Sequence, residues 1–235
     1  MPISLATEGR VARLLLDRPE RLNAADDEML DEMLVHLEKL TVANGVDVLV
    51  LTGAGRAFSA GGDLRRPAPS GTRAEQVARL RQHARSVELL RGLPQVTVAA
   101  VNGACAGLGV GWAAACSLRV LATSAVVNTA YLAAGLSGDF GVAWLLTRLV
   151  GAGTAADWLL RPRKIPAAEA RGFASVLAPA DAFDDTVAAV VEGICSLRPE
   201  AVSGALVNLR EAEFLPLPEY LDRESGRHVD VRMSR

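Results

Sequence analysis

The chain has 235 residues, half of them hydrophobic, and it carries a formal net charge of −2 at pH 7. A chain of this length and composition can bury a sizeable core, which predicts one domain with an appendage. The nearly balanced charge, without a basic run, argues against a nucleic-acid-binding protein.

Cysteine and histidine usage and the N-terminal residues indicate the setting of the protein. Cys105, Cys116 and Cys195 are scattered in apolar surroundings, which predicts reduced core thiols in a cytoplasmic protein rather than disulfides. The three histidines are too dispersed for a metal motif, so we predict no metal site and expect them on exposed helix surfaces. The first residues lack the basic and apolar regions of a signal peptide, and no stretch is long enough for a membrane helix, which predicts no membrane association.

Hydrophobic periodicity defines the elements of the N-terminal part. Short β-rich apolar runs indicate strands, apolar residues spaced by three and four indicate helices, and prolines with glycine indicate loops. In chain order, these patterns predict a β-hairpin over residues 3–7 and 11–16, a helix over 26–40, a strand over 48–51, a mobile loop over 66–73 and a helix over 74–91. Asn23 or Asp26 could cap the first of these helices.

Residues 96–116 carry the pattern around which the rest of the chain is organised. A β-rich apolar run ends at Asn102 and Gly103, and a glycine- and alanine-rich segment without charge follows, in which we predict a helix. Backbone N–H groups at a helix start have no intrahelical partner, and with the helix dipole they favour a negative oxygen. The alternative is a buried helix that needs small residues only for packing.

Strands and helices continue to alternate after this segment, which predicts an α/β layer architecture. In chain order, the patterns predict a strand over residues 118–122, helices over 140–150, 155–160 and 166–172, a strand over 174–177 and a helix over 181–197. Beyond residue 199 the chain is predicted to be wholly helical, with kinks at Pro216 and Pro218.

A second hydrophobic strand also ends in a glycine-rich loop, TGAGRAFSAGGDL at residues 52–64. Two such loops can place one backbone N–H each around a single oxygen, which makes an oxyanion hole without side chains. This loop, the segment over 96–116 and LDRPERLNA at residues 16–24 together make the chain similar to the enoyl-CoA hydratase/isomerase (crotonase) family. The resemblance runs from the first hairpin to about residue 210, and three motifs in the right order make it specific.

The resemblance implies a crotonase-like α/β fold, a spiral of ββα units with a C-terminal helical region, assembled as homotrimers or dimers of trimers. It divides the chain into a core over residues 1–198 and a helical region over residues 199–235. That region is shorter than we expect of the family, so a final helix that often contacts CoA is expected to be missing. The implied partner is an acyl-CoA thioester, in which CoA is part of the substrate, and no other cofactor is expected.

Residue roles follow from the same resemblance. The oxyanion donors would be the N–H groups of Gly62 and Leu108, and Gly107 and Tyr131 are expected to contact the substrate. The adenine and pantetheine would lie along Arg21, Leu22, Ala24, Ala60, Gly62, Asp63 and Leu64. Asp63 has the alternative of capping the following turn, and Arg21 that of a solvated surface charge.

The hydratases of this family hold one water between two carboxylates, so that its oxygen and proton add across the double bond. The resemblance places the first carboxylate position at Gly111 and the second at Tyr131. Neither residue can act as a carboxylate base. Ordinary hydration by the two-glutamate route is therefore not expected.

Asp139 is the remaining candidate base. In several isomerase branches of the family, an aspartate in this position moves a proton between two carbons of the acyl chain. One base suffices, because the proton taken from one carbon is returned to another while two N–H groups hold the thioester enolate. The alternative role of Asp139 is the N-cap of the helix predicted over residues 140–150.

Three functions remain open. The first is an acyl-CoA isomerase that uses Asp139, and the second is another enolate reaction, such as decarboxylation, C–C cleavage or cyclisation in a biosynthetic pathway. The third is a non-catalytic acyl-CoA binder. A dinucleotide site is disfavoured because Gly107, Gly109 and Gly111 lack the fingerprint spacing, and a serine hydrolase because no Gly-x-Ser-x-Gly elbow is present.

Overall fold

Two β-sheets form the centre of the fold in the computed structural model, which describes residues 1–65 and 70–234. The strands are β1 (Ile3–Glu8), β2 (Val11–Leu16), β3 (Val48–Gly53), β4 (Ala57–Ser59), β5 (Val96–Val101), β6 (Ala104–Ala106), β7 (Leu118–Ala122), β8 (Val126–Asn128), β9 (Ile165–Pro166) and β10 (Val176–Ala178). The larger sheet has the order β1-β2-β3-β5-β7-β10, and the smaller has the order β4-β6-β8-β9. β1 and β2 pair antiparallel, as the predicted hairpin requires, and the later neighbours in the larger sheet pair parallel.

The helices complete a repeated unit. They are α1 (Asp27–Thr41), α2 (Arg73–Gly92), α3 (Leu108–Ala115), α4 (Val142–Leu149), α5 (Ala152–Leu160), α6 (Phe183–Cys195), α7 (Pro199–Glu211) and α8 (Leu217–Met233). β3, β4 and α2 follow one another, as do β5, β6 and α3, and then β7, β8 and α4. In each unit the first strand joins the larger sheet and the second joins the smaller one. The predicted α/β fold of ββα units with a helical C-terminal region is confirmed.

The core lies where β5 and α1 meet their neighbours. Every residue of β5 is buried, as expected of a parallel strand covered on both faces. α1 buries Met29, Met33 and Leu37 along the predicted stripe and packs against α2. The Asp26 carboxylate accepts a hydrogen bond from the Met29 N–H at 2.9 Å, so Asp26 rather than Asn23 caps this helix.

Two local predictions are wrong. No helix forms over residues 166–172 in the described chain: Ile165 pairs with β8, and the Ala167 N–H donates to the Ala125 carbonyl at 3.0 Å, so neighbouring segments bind this backbone. Pro216 and Pro218 do not kink a helix, because Pro216 is the N-cap of α8 and Pro218 lies in its first turn, where the missing N–H has no intrahelical role. Residues 66–69 of the predicted mobile loop lie outside the described residues.

Burial supports the thiol prediction for two of the three cysteines. Cys105 and Cys116 are buried and free, Cys195 is half-buried, and burial raises the pKa of Cys116 to about 12. Within residues 1–65 and 70–234, no group of histidine, cysteine and acidic side chains could hold a metal ion. None of the helices in that part of the chain combines the length and apolar character needed to cross a membrane.

Candidate active site

A cavity of about 760 Å³ opens where the two glycine-rich loops meet α2. Eight of the eleven residues that the sequence assigns to the site line it, namely Ala60, Gly62, Asp63, Leu64, Gly107, Leu108, Tyr131 and Asp139. Arg21, Leu22 and Ala24 are not among the lining residues. They lie behind the loop, where the Leu22 carbonyl accepts a hydrogen bond from the Ala60 N–H at 2.9 Å, and their contact with CoA stays a prediction.

The N–H of Gly62 is directed away from the neighbouring backbone. The Ala25 N–H donates to the Gly61 carbonyl at 2.7 Å, and the Asp63 N–H donates to the Ala25 carbonyl at 2.8 Å. The Gly61 carbonyl and the Gly62 N–H belong to one trans peptide, in which the two groups point in opposite directions. The Gly62 N–H therefore points to the side of the loop opposite Ala25.

The second candidate donor, Leu108, is the first residue of α3. Its N–H has no acceptor within the helix, because the acceptor would lie before the helix start. The preceding Gly107 is anchored by its own N–H, which donates to the Asn128 carbonyl at 3.0 Å, and it has φ = +51°, which favours glycine. A Cβ built on Gly107 would lie 3.5 Å from the Gly61 Cα, so the two glycine loops touch.

Asn23 holds the first loop in place and was not identified from the sequence as a site residue. It is fully buried and has φ = +56°. Its side-chain amide donates to the carbonyls of Ala54 and Ala57 at 3.0 and 2.8 Å, and its side-chain oxygen accepts from the Arg18 N–H at 2.9 Å. Its carbonyl accepts from the Ser59 hydroxyl at 2.9 Å, and the Ser59 hydroxyl oxygen accepts from the Gly61 N–H at 3.1 Å.

Replacing Asn23 with alanine is expected to lower the free energy of unfolding by about 3–5 kcal/mol. The variant leaves the buried Ala57 carbonyl, the half-buried Ala54 carbonyl and the Arg18 N–H without their partner. It also places alanine in a left-handed conformation that asparagine tolerates better. Denaturant unfolding followed by circular dichroism measures the change. Asn44→Ala is the matched control, because Asn44 is exposed, and its stability is expected to stay within about 0.5 kcal/mol of the wild type. A loss below about 1 kcal/mol for Asn23→Ala would contradict this role.

Arg18 links the end of the loop over residues 52–64 to the start of α1. Its guanidinium lies 3.0 Å from Asp26 and 3.3 Å from Asp63, and it also donates to the Ala24 carbonyl. The other oxygen of Asp63 accepts from the Arg65 N–H at 3.1 Å, which is the turn-capping role considered for this residue. Because Asp63 already has these two partners, it serves to hold the loop around Gly62.

His83 is a lining residue that the sequence interpretation placed wrongly. His83 and His36 were expected on exposed surfaces, but both are buried, whereas His228 is exposed as predicted. His83 lines the cavity, and its Nε2 lies 3.1 Å from the Asp31 Oδ1. The signal was available, since His83 lies three, four and seven residues before Ser86, Val87 and Leu90, the other buried residues of α2.

Asp139 and Tyr131 lie next to each other in the wall of the cavity. Asp139 is half-buried, and the Tyr131 hydroxyl lies 3.5 Å from the Asp139 carbonyl oxygen. Burial, followed by the charge of Asp139 and a hydrogen bond with its side chain, raises the pKa of Tyr131. The Tyr131 hydroxyl therefore keeps its proton at neutral pH and is a hydrogen-bond donor beside Asp139.

The structure does not give Asp139 the capping role. The N-cap of α4 is Gly141, with φ = +65° and no side-chain cap bond. The Asp139 carbonyl accepts from the Val142 N–H at this helix start, at 3.2 Å. The Asp139 side chain thus lines the cavity and is not the N-cap of α4.

Comparisons with known proteins show what the whole chain is similar to. A family model described as enoyl-CoA hydratase/isomerase matches residues 6–234. The 4-chlorobenzoyl coenzyme A dehalogenase-1 of Arthrobacter sp is 35% identical over 173 residues, which cover 72% of this chain and 62% of the dehalogenase. The 1,2-epoxyphenylacetyl-CoA isomerase of Escherichia coli K12 is 31% identical over 239 residues, which cover 96% of this chain and 90% of the isomerase. A crystal structure of a putative enoyl-CoA hydratase from Thermobifida fusca YX in complex with CoA superposes with a TM-score of 0.92 at 28% identity, covering 99% of this chain and 93% of that one.

Proposed function

Because the chain belongs to the enoyl-CoA hydratase/isomerase family, we propose that this acyl-CoA-processing enzyme moves a proton along the acyl chain of its substrate, with Asp139 as the base. One observation carries the proposal. Asp139 lines the same cavity as the two candidate oxyanion donors, Gly62 and Leu108, while the two hydratase carboxylate positions hold Gly111 and Tyr131.

The thioester oxygen lies between the N–H groups of Gly62 and Leu108. Charge develops on this oxygen when a neighbouring carbon loses a proton, so donors aimed at it stabilise the transition state more than the bound substrate. The contact between the two glycine loops supports this placement. The complex of the Thermobifida fusca protein with CoA supports a CoA thioester as the ligand class.

Proton transfer begins at carbon 2 of a 3-enoyl thioester. The Asp139 carboxylate takes the proton, the C–H electron pair forms a double bond between carbons 1 and 2, and the carbonyl π electrons move onto the thioester oxygen, which gives a dienolate that keeps the double bond between carbons 3 and 4. In the second step the thioester carbonyl re-forms, the electron pair between carbons 1 and 2 moves between carbons 2 and 3, and the pair between carbons 3 and 4 binds the proton at carbon 4. The proton returns from Asp139 to carbon 4, the negative charge leaves the thioester oxygen, and a 2-enoyl thioester results. Tyr131, which stays protonated, supports the carboxylate by hydrogen bonding.

The acyl group is accommodated by a cavity of ordinary size for a small-molecule site. Leu30, Leu80, Leu108, Leu136 and Phe140 contribute apolar side chains to its lining. This wall favours a largely apolar acyl group.

A homotrimer or dimer of trimers in the cytoplasm remains part of the proposal. Apolar residues exposed on the C-terminal helices support the assembly, among them Leu209, Leu217 and Leu221.

Relatives that act on other CoA thioesters keep a second function open. The similarity to a 4-chlorobenzoyl coenzyme A dehalogenase favours a different reaction on the same scaffold, and a non-catalytic acyl-CoA binder is the third possibility. Incubation with saturated, 2-enoyl and 3-enoyl CoA thioesters in heavy water separates the three. Deuterium uptake with double-bond migration supports the isomerase, uptake without migration supports other enolate chemistry, and binding without uptake supports the binder.

Hydration of crotonyl-CoA is expected to be very slow compared with the turnover of typical enzymes, which is about 10 s⁻¹. Gly111 and Tyr131 supply no carboxylate pair to hold a water across the double bond. Loss of the absorbance of the conjugated thioester measures the reaction. The control is the same assay with excess free CoA, which competes with the substrate for the site. Rapid water addition would contradict the placement of at least one of the two positions.

A further inference from the structure

The space beside Gly111 is already occupied by main chain. A Cβ built on Gly111 would lie 2.8 Å from the Phe140 carbonyl oxygen, 3.1 Å from the Phe140 Cβ and 3.3 Å from a methyl group of Val142. The first distance is shorter than ordinary side-chain contacts allow, and its partner is a backbone atom. No flexible side-chain end can move aside to admit a substituent at this position.

Phe140 itself has little freedom to retreat. It is 3% exposed and has φ = +47°, a left-handed conformation that is uncommon for a bulky residue. Its ring meets the fully buried Trp112 edge to face, with centroids 6.2 Å apart, and the Trp112 indole N–H donates to the Ser86 hydroxyl at 3.0 Å. Packing against α3 and α2 therefore holds the backbone of this loop against Gly111.

We propose that Gly111 is a positioning residue for Asp139, so that the missing side chain at 111 and the carboxylate at 139 are two parts of one structural arrangement. Asp139 directly precedes Phe140, so the backbone that fills the space beside Gly111 also carries Asp139 to the cavity wall. A side chain at 111 and Asp139 in its present place exclude each other. The catalytic part of this inference rests on the proposed function, whereas the packing part does not.

Three variants test the coupling: Gly111→Ala, Phe140→Gly and the double variant. Gly111→Ala is expected to lower the melting temperature and to raise hydrogen exchange over residues 138–142. Phe140→Gly removes the Phe140 Cβ, which lies 3.1 Å from the Cβ built on Gly111. Glycine also makes the backbone at 140 freer, so the carbonyl of residue 140 can turn away from residue 111. The melting-temperature losses of the two changes are therefore expected to be less than additive in the double variant.

Activity gives a second readout. Gly111→Ala is expected to lower kcat by about tenfold or more with KM within about twofold, because the thioester donors stay in place while the base moves. The double variant should recover part of kcat. Gly193→Ala is the control, since Gly193 lies exposed in α6 with no atom within 4 Å of a built Cβ, and its activity should be unchanged.

Each outcome decides the proposal. Additive melting-temperature losses with unchanged hydrogen exchange over residues 138–142 would overturn it. If the wild type is active, a Gly111→Ala variant with the same kcat as the wild type would also overturn it. If Gly111→Ala does not fold, a folded double variant supports the coupling and an unfolded one overturns it. If the wild type shows no activity on any thioester, the proposed function fails, while exchange and melting temperatures still test the packing of Gly111 against Phe140.

Discussion

The Asp139→Asn variant is expected to lose a factor of about 10²–10⁴ in turnover while it binds CoA thioesters as the wild type does. Asparagine keeps the shape of the side chain and can accept a hydrogen bond from the Tyr131 hydroxyl. The asparagine side chain cannot take a proton from one carbon of the acyl chain and return it to another carbon. Deuterium uptake at the acyl chain and double-bond migration measure the loss, and binding calorimetry with a non-reacting thioester measures the affinity.

Stability separates a catalytic role from a structural one in this variant. Gly141 is the N-cap of α4, and the Val142 N–H at the helix start donates to the main-chain carbonyl of Asp139, which both variants keep. Asp139→Asn and Asp139→Ala are therefore both expected to lack the loss of about 1 kcal/mol that removal of a capping side chain causes. Asp222→Asn is the matched control, since Asp222 is exposed on α8 and far along the chain from the cavity residues. Full proton exchange in Asp139→Asn would exclude the isomerase, leaving an enolate reaction without this carboxylate.

Local sequence pattern predicts the elements whose apolar spacing matches their burial. α1 is an example, because residues at three- and four-residue spacing form one buried face. The helix predicted over residues 166–172 fails because pairing of Ile165 with β8 and the bond from Ala167 to Ala125 bind that backbone, and neither partner is near in sequence. Tertiary context overrides local propensity where a short segment joins a sheet.

The candidate site divides in the same way. The two glycine-rich loops can be located from sequence because a strand followed by glycines is a local pattern, and the resemblance to the family then assigns the donor role to Gly62 and Leu108. The roles of Asn23 and Gly111 cannot be predicted from a local pattern. Asn23 acts through a contact with Ala57 and Gly111 through a contact with Phe140, and each partner lies about 30 residues away in the chain. Glycine at position 111 indicates only that a side chain is missing. The structure adds that the space is filled, and by which residue.

Gly62→Pro is expected to lower turnover by about 10²–10³, the usual effect of removing one oxyanion donor. Among the residues that the structure describes, the Gly62 N–H has no backbone acceptor, since Ala25 bonds to Gly61 and Asp63 instead. Proline at this position therefore removes the donor while leaving those two bonds in place. Thioester affinity is expected to fall much less, because the donor acts mainly on charge that develops during the reaction.

Gly62→Ala provides the comparison that isolates the donor. The nearest atom to a Cβ built on Gly62 is a Leu108 methyl group at 3.9 Å, an ordinary contact, so alanine fits and keeps the N–H. Proton-exchange rates of the two variants, with melting temperatures measured alongside, give the effect of the N–H alone. If folded Gly62→Pro and Gly62→Ala have the same turnover, the thioester oxygen does not lie against this N–H. A large loss confined to the proline variant places that oxygen between the two glycine loops, because a change in the side chain alone would affect both variants.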